Sequence, residues 1–243
     1  MSALEIKNLH KNFGGVRAVD GLSFVLTPGK ITGIIGPNGS GKSTLTNVLS
    51  GMAAIDSGVL IIGGEQITGL KSYEAIEFGI TRTFQEVRLF EQITVLDNIL
   101  VVLTERGVFK SLRSARGKMH EVRAQEILER IGLWDKRHQL ARQLSYGQRK
   151  LLEIGRTLAI EADIYLFDEP FAGLAASMVK MLSEILIDLR AKGKVVVLIE
   201  HNMELIRSLA DHIVVMDNGQ LLAEGAPASV LSQHNVIQAY LGK

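Results

Sequence analysis

There is no cysteine anywhere in the 243 residues. That removes disulfides, thiolate nucleophiles and cysteine-based zinc sites together. Long apolar runs are missing too: the longest, 99–103 and 195–199, fall far short of the roughly 20 residues that a membrane-spanning helix needs. Any membrane process would have to be served by docking from the cytoplasm. Excess charge of one sign is also absent. The formal net charge is +1, so bulk electrostatics argues neither for nucleic acid nor for an anionic lipid surface. The first ten residues carry Glu5 and Lys7 in a strand-like alternation with no apolar h-region, and no secretory signal is expected. What is present is a 47% hydrophobic chain, enough to pack one sizeable domain or a core with an inserted lobe.

The stretch Gly36-Pro37-Asn38-Gly39-Ser40-Gly41-Lys42-Ser43-Thr44 organises the rest. It follows the apolar run Ile31-Thr32-Gly33-Ile34-Ile35 and leads into Leu45-Thr46-Asn47-Val48-Leu49, so a buried strand turns through a glycine-rich loop into a helix. Successive glycines let the backbone curl until its N–H groups converge on phosphate oxygens, and the helix N-terminus adds partial positive charge. Lys42 is placed to reach the β- and γ-phosphates, and the Ser43 hydroxyl to ligate Mg2+.

Strands are expected over Leu4–Lys7 and Leu22–Leu26, forming a small antiparallel layer, with another at 59–64. Between the first two, Phe13 beside Gly14 and Gly15 either packs in the core or lies exposed, where its ring can stack on a flat base. From Val95 the pattern turns helical, and Ala124, Ile127, Leu128 and Ile131 recur at helical spacing with charged residues on the other faces. An inserted helical lobe is therefore expected over 88–158. The basic cluster Lys110, Arg113, Arg116 and Lys118 reads as a solvated loop or as a face for lipid headgroups or an acidic partner.

Ser145 precedes a helical run in Leu144-Ser145-Tyr146-Gly147-Gln148, as an N-cap does, and the same geometry makes a second anion site. The apolar strand ending at Asp168-Glu169-Pro170 places two acids where open α/β sheets bind ligands. Asp168 can hold the water shell of Mg2+ and Glu169 can polarise a water for in-line attack on the γ-phosphorus. Met178, Met181, Leu182, Ile185, Leu186 and Leu189 form the buried face of a helix, and Val195–Ile199 is a further strand with Glu200 and His201 at its end. Asn218-Gly219 signals a type I′ hairpin, and the tail from Ala226 reads as helical.

The order of phosphate loop, Gln85, LSYGQ, LFDEP and His201 resembles the ATP-binding-cassette (ABC) ATPases over nearly the whole chain. That resemblance implies an α/β P-loop NTPase (RecA-like) core with a small antiparallel β subdomain and an inserted α-helical subdomain. The core would span 1–87 and 159–243, and the helical subdomain, carrying the LSYGQ signature, 88–158. It implies ATP and Mg2+ as cofactors and a head-to-tail dimer with a second ATP-binding subunit, identical or related. Ser145, Gly147 and Gln148 of one subunit would close on the γ-phosphate held at Lys42 of the other. Phe13 becomes the adenine-stacking aromatic, Gln85 a contact to metal and attacking water, and His201 a contact to the γ-phosphate.

Two stretches, 81–98 and LSYGQRKLLEIGR, together with Ile199–Met203 and the ending 235–242, resemble the ATP-binding subunits of branched-chain amino acid importers. The implied partners are membrane permease subunits and, indirectly, a periplasmic or lipid-anchored solute-binding protein, at the cytoplasmic face of the plasma membrane, with no nucleic acid. Relatives serving urea uptake or lipopolysaccharide export, and soluble ABC ATPases working on DNA or the ribosome, are the alternatives. A plain P-loop kinase would leave LSYGQ unexplained. Ala175 departs from the pattern, since that family usually has Asp or Asn there.

Overall fold

The computed structural model describes residues 4–103 and 114–241. Two of the basic residues singled out above, Lys110 and Arg113, lie outside them, as does the side chain of Arg116. The described chain divides into two compact units, one of 1–82, 162–169 and 183–243, the other of 83–161 and 170–182.

Both sheets belong to the first unit. In one, β1 (Leu4–Phe13), β2 (Val16–Leu26), β4 (Ser57–Ile62) and β5 (Glu65–Ile67) pair antiparallel in the order β2-β1-β4-β5. In the other the order is β10-β9-β3-β8-β7-β6, from β3 (Lys30–Ile35), β6 (Ile80–Arg82), β7 (Ile164–Asp168), β8 (Val195–Ile199), β9 (His212–Asp217) and β10 (Gln220–Gly225). All of its pairings are parallel except β10 with β9. Every residue of β7 and β8 is buried. Such strands need apolar side chains on both faces, which is why Val195–Ile199 is a continuous run and not an alternation. Helix α1 (Lys42–Leu49) follows β3.

The second unit is helical: α2 (Val95–Leu103), α3 (Ser114–Arg130) and α4 (Tyr146–Ala159), together with the first part of α5 (Ala176–Ala191). Ala124, Ile127, Leu128 and Ile131 are all buried, as the helical spacing requires. In the first unit α6 (Met203–Leu209), α7 (Pro227–Val230) and α8 (His234–Leu241) complete the fold. Asn218 and Gly219 both take positive φ, +48° and +79°, in the expected β9–β10 hairpin. Among the described residues no helix is long and apolar enough to cross a membrane.

Candidate nucleotide site

β3 lies between β9 and β8, and its C-terminal end opens into the glycine loop. The loop is drawn tight against its surroundings. A Cβ on Gly36 would stand 2.1 Å from the Met216 carbonyl oxygen, and one on Gly41 2.1 Å from that of Ala18, so neither position admits a side chain. Gly41 also holds φ at +100° as the N-cap of α1, a conformation costly to residues with a Cβ. No side chain caps α1 and its first turn contains no acid. The N-terminal N–H groups and the positive end of the helix dipole are thus left to serve an anion.

Lys42 begins that helix and is only 7% exposed. Its ammonium donates to the carbonyls of Gly36 at 2.8 Å and Pro37 at 3.0 Å, and lies 3.4 Å from the Ser40 hydroxyl. Burial lowers its pKa, while the carboxylates of Glu169 and Asp168 act the other way. A cation arched over a loop of convergent N–H groups fits a polyphosphate. Ser43 is exposed beside it and Thr44 half-buried.

β7 delivers the two acids. Asp168 is buried and its Oδ2 lies 2.8 Å from the guanidinium of Arg82, at the end of neighbouring β6. The same guanidinium donates to the Asn47 side chain at 2.6 Å and the Ser50 hydroxyl at 3.1 Å, tying the acid to α1. Arg82 escaped the sequence reading because its partner is 86 residues away. Glu169 breaks the strand with φ of +47°, its N–H bonded to the Ile199 carbonyl at 3.0 Å. Non-glycine residues held there are strained and cluster at functional sites. Its Oε1 lies 3.1 Å from Nε2 of His201, which follows β8. One strand end thus presents a carboxylate with an imidazole already in contact.

Phe13 ends β1 and is 52% exposed, with the Lys11 ammonium 5.2 Å from its ring centroid. Of the two readings of this residue, the exposed one holds. Asp56 fixes that lysine at 2.7 Å and accepts from the Asn12 N–H.

In the second unit Ser145 is the N-cap of α4. Its hydroxyl oxygen lies 3.4 Å from the Gln148 N–H, and Oε1 of Gln148 takes the Ser145 N–H at 3.2 Å, a reciprocal capping box. Lys136 also donates to that Gln148 oxygen at 3.1 Å, so the Gln148 side chain serves the helix start. Gly147 is buried. Gln85 is exposed and follows Phe84, whose N–H is held by Oε1 of Glu153 at 3.0 Å. Glu153 was not foreseen. Burial pushes its carboxyl up to about 7, opposed by the Phe84 N–H and by the charges of Lys150, Arg156 and Arg88.

A glycine loop between a buried strand and an uncapped helix, with acids and an imidazole at adjacent strand ends, defines a nucleotide-binding α/β site. The family model described as ABC transporter matches residues 19–172, and the chain belongs to that family. It is 36% identical over 250 residues to the high-affinity branched-chain amino acid transport ATP-binding protein LivG of Escherichia coli (strain K12), covering 99% of this chain and 98% of that one. Among solved structures it resembles a nucleotide-free ATP-binding cassette from an ABC transporter with a TM-score of 0.88 and 36% identity, each chain fully covered. It also resembles a dimeric post-hydrolysis state of the cassette MJ0796 bound to ADP and Pi, with a TM-score of 0.81 and 26% identity over 92% of this chain and 98% of that one.

Proposed function

We propose that this chain is the ATP-binding and ATP-hydrolysing subunit of a branched-chain amino acid importer, working on membrane permease subunits from the cytoplasmic face of the plasma membrane. The observation that carries the ATPase reading is the Glu169–His201 pair at 3.1 Å, on strand ends β7 and β8, in the unit that also carries the Lys42 cradle. The solute and the permease partners rest on likeness to the LivG relative. That likeness favours amino acids over the urea and lipopolysaccharide alternatives and over a soluble ABC ATPase.

Hydrolysis needs a phosphate held still, a polarised water and a place for developing charge. Lys42 and the N–H groups of 36–44 hold the phosphates, and Phe13 offers a ring face to the base. Ser43, Gln85 and Asp168 are the residues that would hold Mg2+, which when bound neutralises charge on the β- and γ-phosphate oxygens. Glu169 orients and polarises the attacking water, and His201 holds the carboxylate until it turns to the γ-phosphate. A single cradle covers one side of the triphosphate only. The cheapest donors for the other side are the N–H groups at the start of α4 and the Ser145 hydroxyl, at Ser145, Gly147 and Gln148 of a second subunit. ATP then joins two subunits and hydrolysis parts them. That cycle moves what is docked on the helical subdomain, assigned to 88–158 against a core of 1–87 and 159–243. A solute-binding protein would deliver cargo from outside.

The test is uptake by proteoliposomes containing this chain, its permease partners and their second cassette. Leucine accumulation that requires ATP and vanishes with Glu169→Gln is expected; urea uptake without leucine uptake would overturn the solute assignment.

A further inference from the structure

β6 and β7 run parallel, with Arg82 in register with Leu166. Side chains two apart on a strand share a face, so Arg82, Leu166 and Asp168 all point to one side of the sheet. Leu166 belongs to the same buried core as Leu45, Val48 and Leu49, which makes that side the one covered by α1. The Arg82 guanidinium therefore sits between a strand end and a helix, and its two arms serve both. Nη2 lies 2.8 Å from Asp168 Oδ2. Nη1 donates to Asn47 Oδ1 at 2.6 Å and to the Ser50 hydroxyl at 3.1 Å, with the Met52 sulfur at 3.8 Å. Ser50 is the C-cap of α1, and its hydroxyl in turn donates to the Thr46 carbonyl at 2.7 Å.

Stability alone does not call for this pair. The side chains of Arg82 and Asp168 are 8% and 4% exposed, and a buried ion pair contributes little that well-packed apolar side chains of like volume would not, because both charges are taken out of water. What an arginine adds is geometry: a planar, permanently charged fork with donors aimed in fixed directions. Here the fork ties the acid at the end of β7 to the same eight-residue helix that begins with Lys42. A phosphate held at the start of that helix and a metal ion held by Asp168 must keep one spacing, and Arg82 joins the two elements that set it.

We infer, from the reading above that Asp168 holds Mg2+, that Arg82 is a positioning residue for the metal: it sets Asp168 against α1 so that the acid meets a metal ion carried on the phosphates. It acts through Asp168 and not on the nucleotide itself. Losing the fork therefore weakens nucleotide binding only when the metal is present.

The experiment uses the full chain and a fluorescent ADP, whose affinity is measured once with Mg2+ and once with a chelator; the ratio of the two is the gain due to metal. Asp168→Asn should reduce that gain about tenfold or more. Arg82→Lys, which keeps the charge but replaces the fork with a single ammonium, and Arg82→Gln are each expected to reduce it about tenfold, while affinity in chelator stays within about twofold. Added to Asp168→Asn, Arg82→Gln should reduce the gain no further, because the group through which Arg82 acts is already lost. Urea unfolding shows which variants are folded. Should Arg82→Gln alone fail to fold, with Asp168 left buried beside no cation, Arg82→Lys and the double variant decide. A loss shared equally between Mg2+ and chelator would make Arg82 a general support of the loop and overturn the positioning role, as would a full gain in Arg82→Lys. If Asp168→Asn itself keeps the full gain, the metal assignment of Asp168 fails and the role of Arg82 with it, so the two failures are distinguishable.

Discussion

Lys42 carries the heaviest duty of any single side chain. It is buried, it donates to two loop carbonyls at 2.8 and 3.0 Å, and its pKa is lowered by desolvation. A phosphate offered in exchange for those carbonyls supplies the countercharge that burial denies it. Lys42→Ala is expected to lower the rate of phosphate release about 100-fold or more, with weaker ATP binding; an unchanged rate would remove Lys42 from the site. Ser145 has the opposite profile, because its hydroxyl and N–H serve the start of α4 and not the Lys42 loop. Ser145→Arg should therefore bind ATP as the unaltered chain does yet fail to turn it over, and normal hydrolysis would refute the trans role. Glu153 provides a pH signature. Its carboxyl is raised from 4.5 to about 7 by burial, so the folded chain binds more protons than the unfolded one between those values. The stability it contributes is present below about 4.5 and is lost as pH rises through about 7, at most about 3 kcal/mol. Glu153→Gln keeps an acceptor for the Phe84 N–H and removes the charge. Its melting temperature should fall less between pH 5 and pH 8 than that of the unaltered chain, and parallel profiles would show that Glu153 does not titrate in this window.

At the scale of elements, what could be read from the sequence was whatever obeyed a local period. β3, β7 and β8 are apolar runs bounded by turn residues, and all three lie where that pattern puts them. The edge layer was read short. Leu4–Lys7 alternates, but β1 continues to Phe13 through register shifts against β2 and a positive φ at Asn8, and such irregularities break the period-2 signal. The contacts that tie site residues down were the least legible, because Arg82–Asp168 and Phe84–Glu153 join residues 86 and 69 positions apart. The loop, acids and imidazole were legible because each is announced by its neighbours in the chain. The approach of Tyr146 to Gly173, where a Cβ would stand 2.8 Å from the ring, is not, since nothing local says that a ring will meet that glycine. Helix α5 offers a test at this scale. Its N-cap position is Ala175, whose carbonyl accepts from Met178 and Val179 while its side chain satisfies no N–H. Ala175→Asn should stabilise the chain by about 1 kcal/mol, read as a rise in the urea midpoint, and no rise would show that the start of α5 gains nothing from a side-chain cap.

For the whole molecule the central claim is that one chain supplies only half of each hydrolytic chamber. The first unit holds the Lys42 loop, Glu169 and His201; the second holds the capped start of α4, proposed above to close over a neighbour's γ-phosphate. Membership of the ABC transporter family and likeness to a dimeric cassette bound to ADP and Pi agree with that division of labour. The ABC reading also ties catalysis to movement, because a chamber made of two halves must open to release product. The most direct measurement is ATP turnover per molecule as the concentration of this chain is raised at saturating ATP. The account predicts a rate near zero at the lowest concentrations that climbs to a plateau as pairs form. A rate per molecule that is full and constant across the whole range would contradict it.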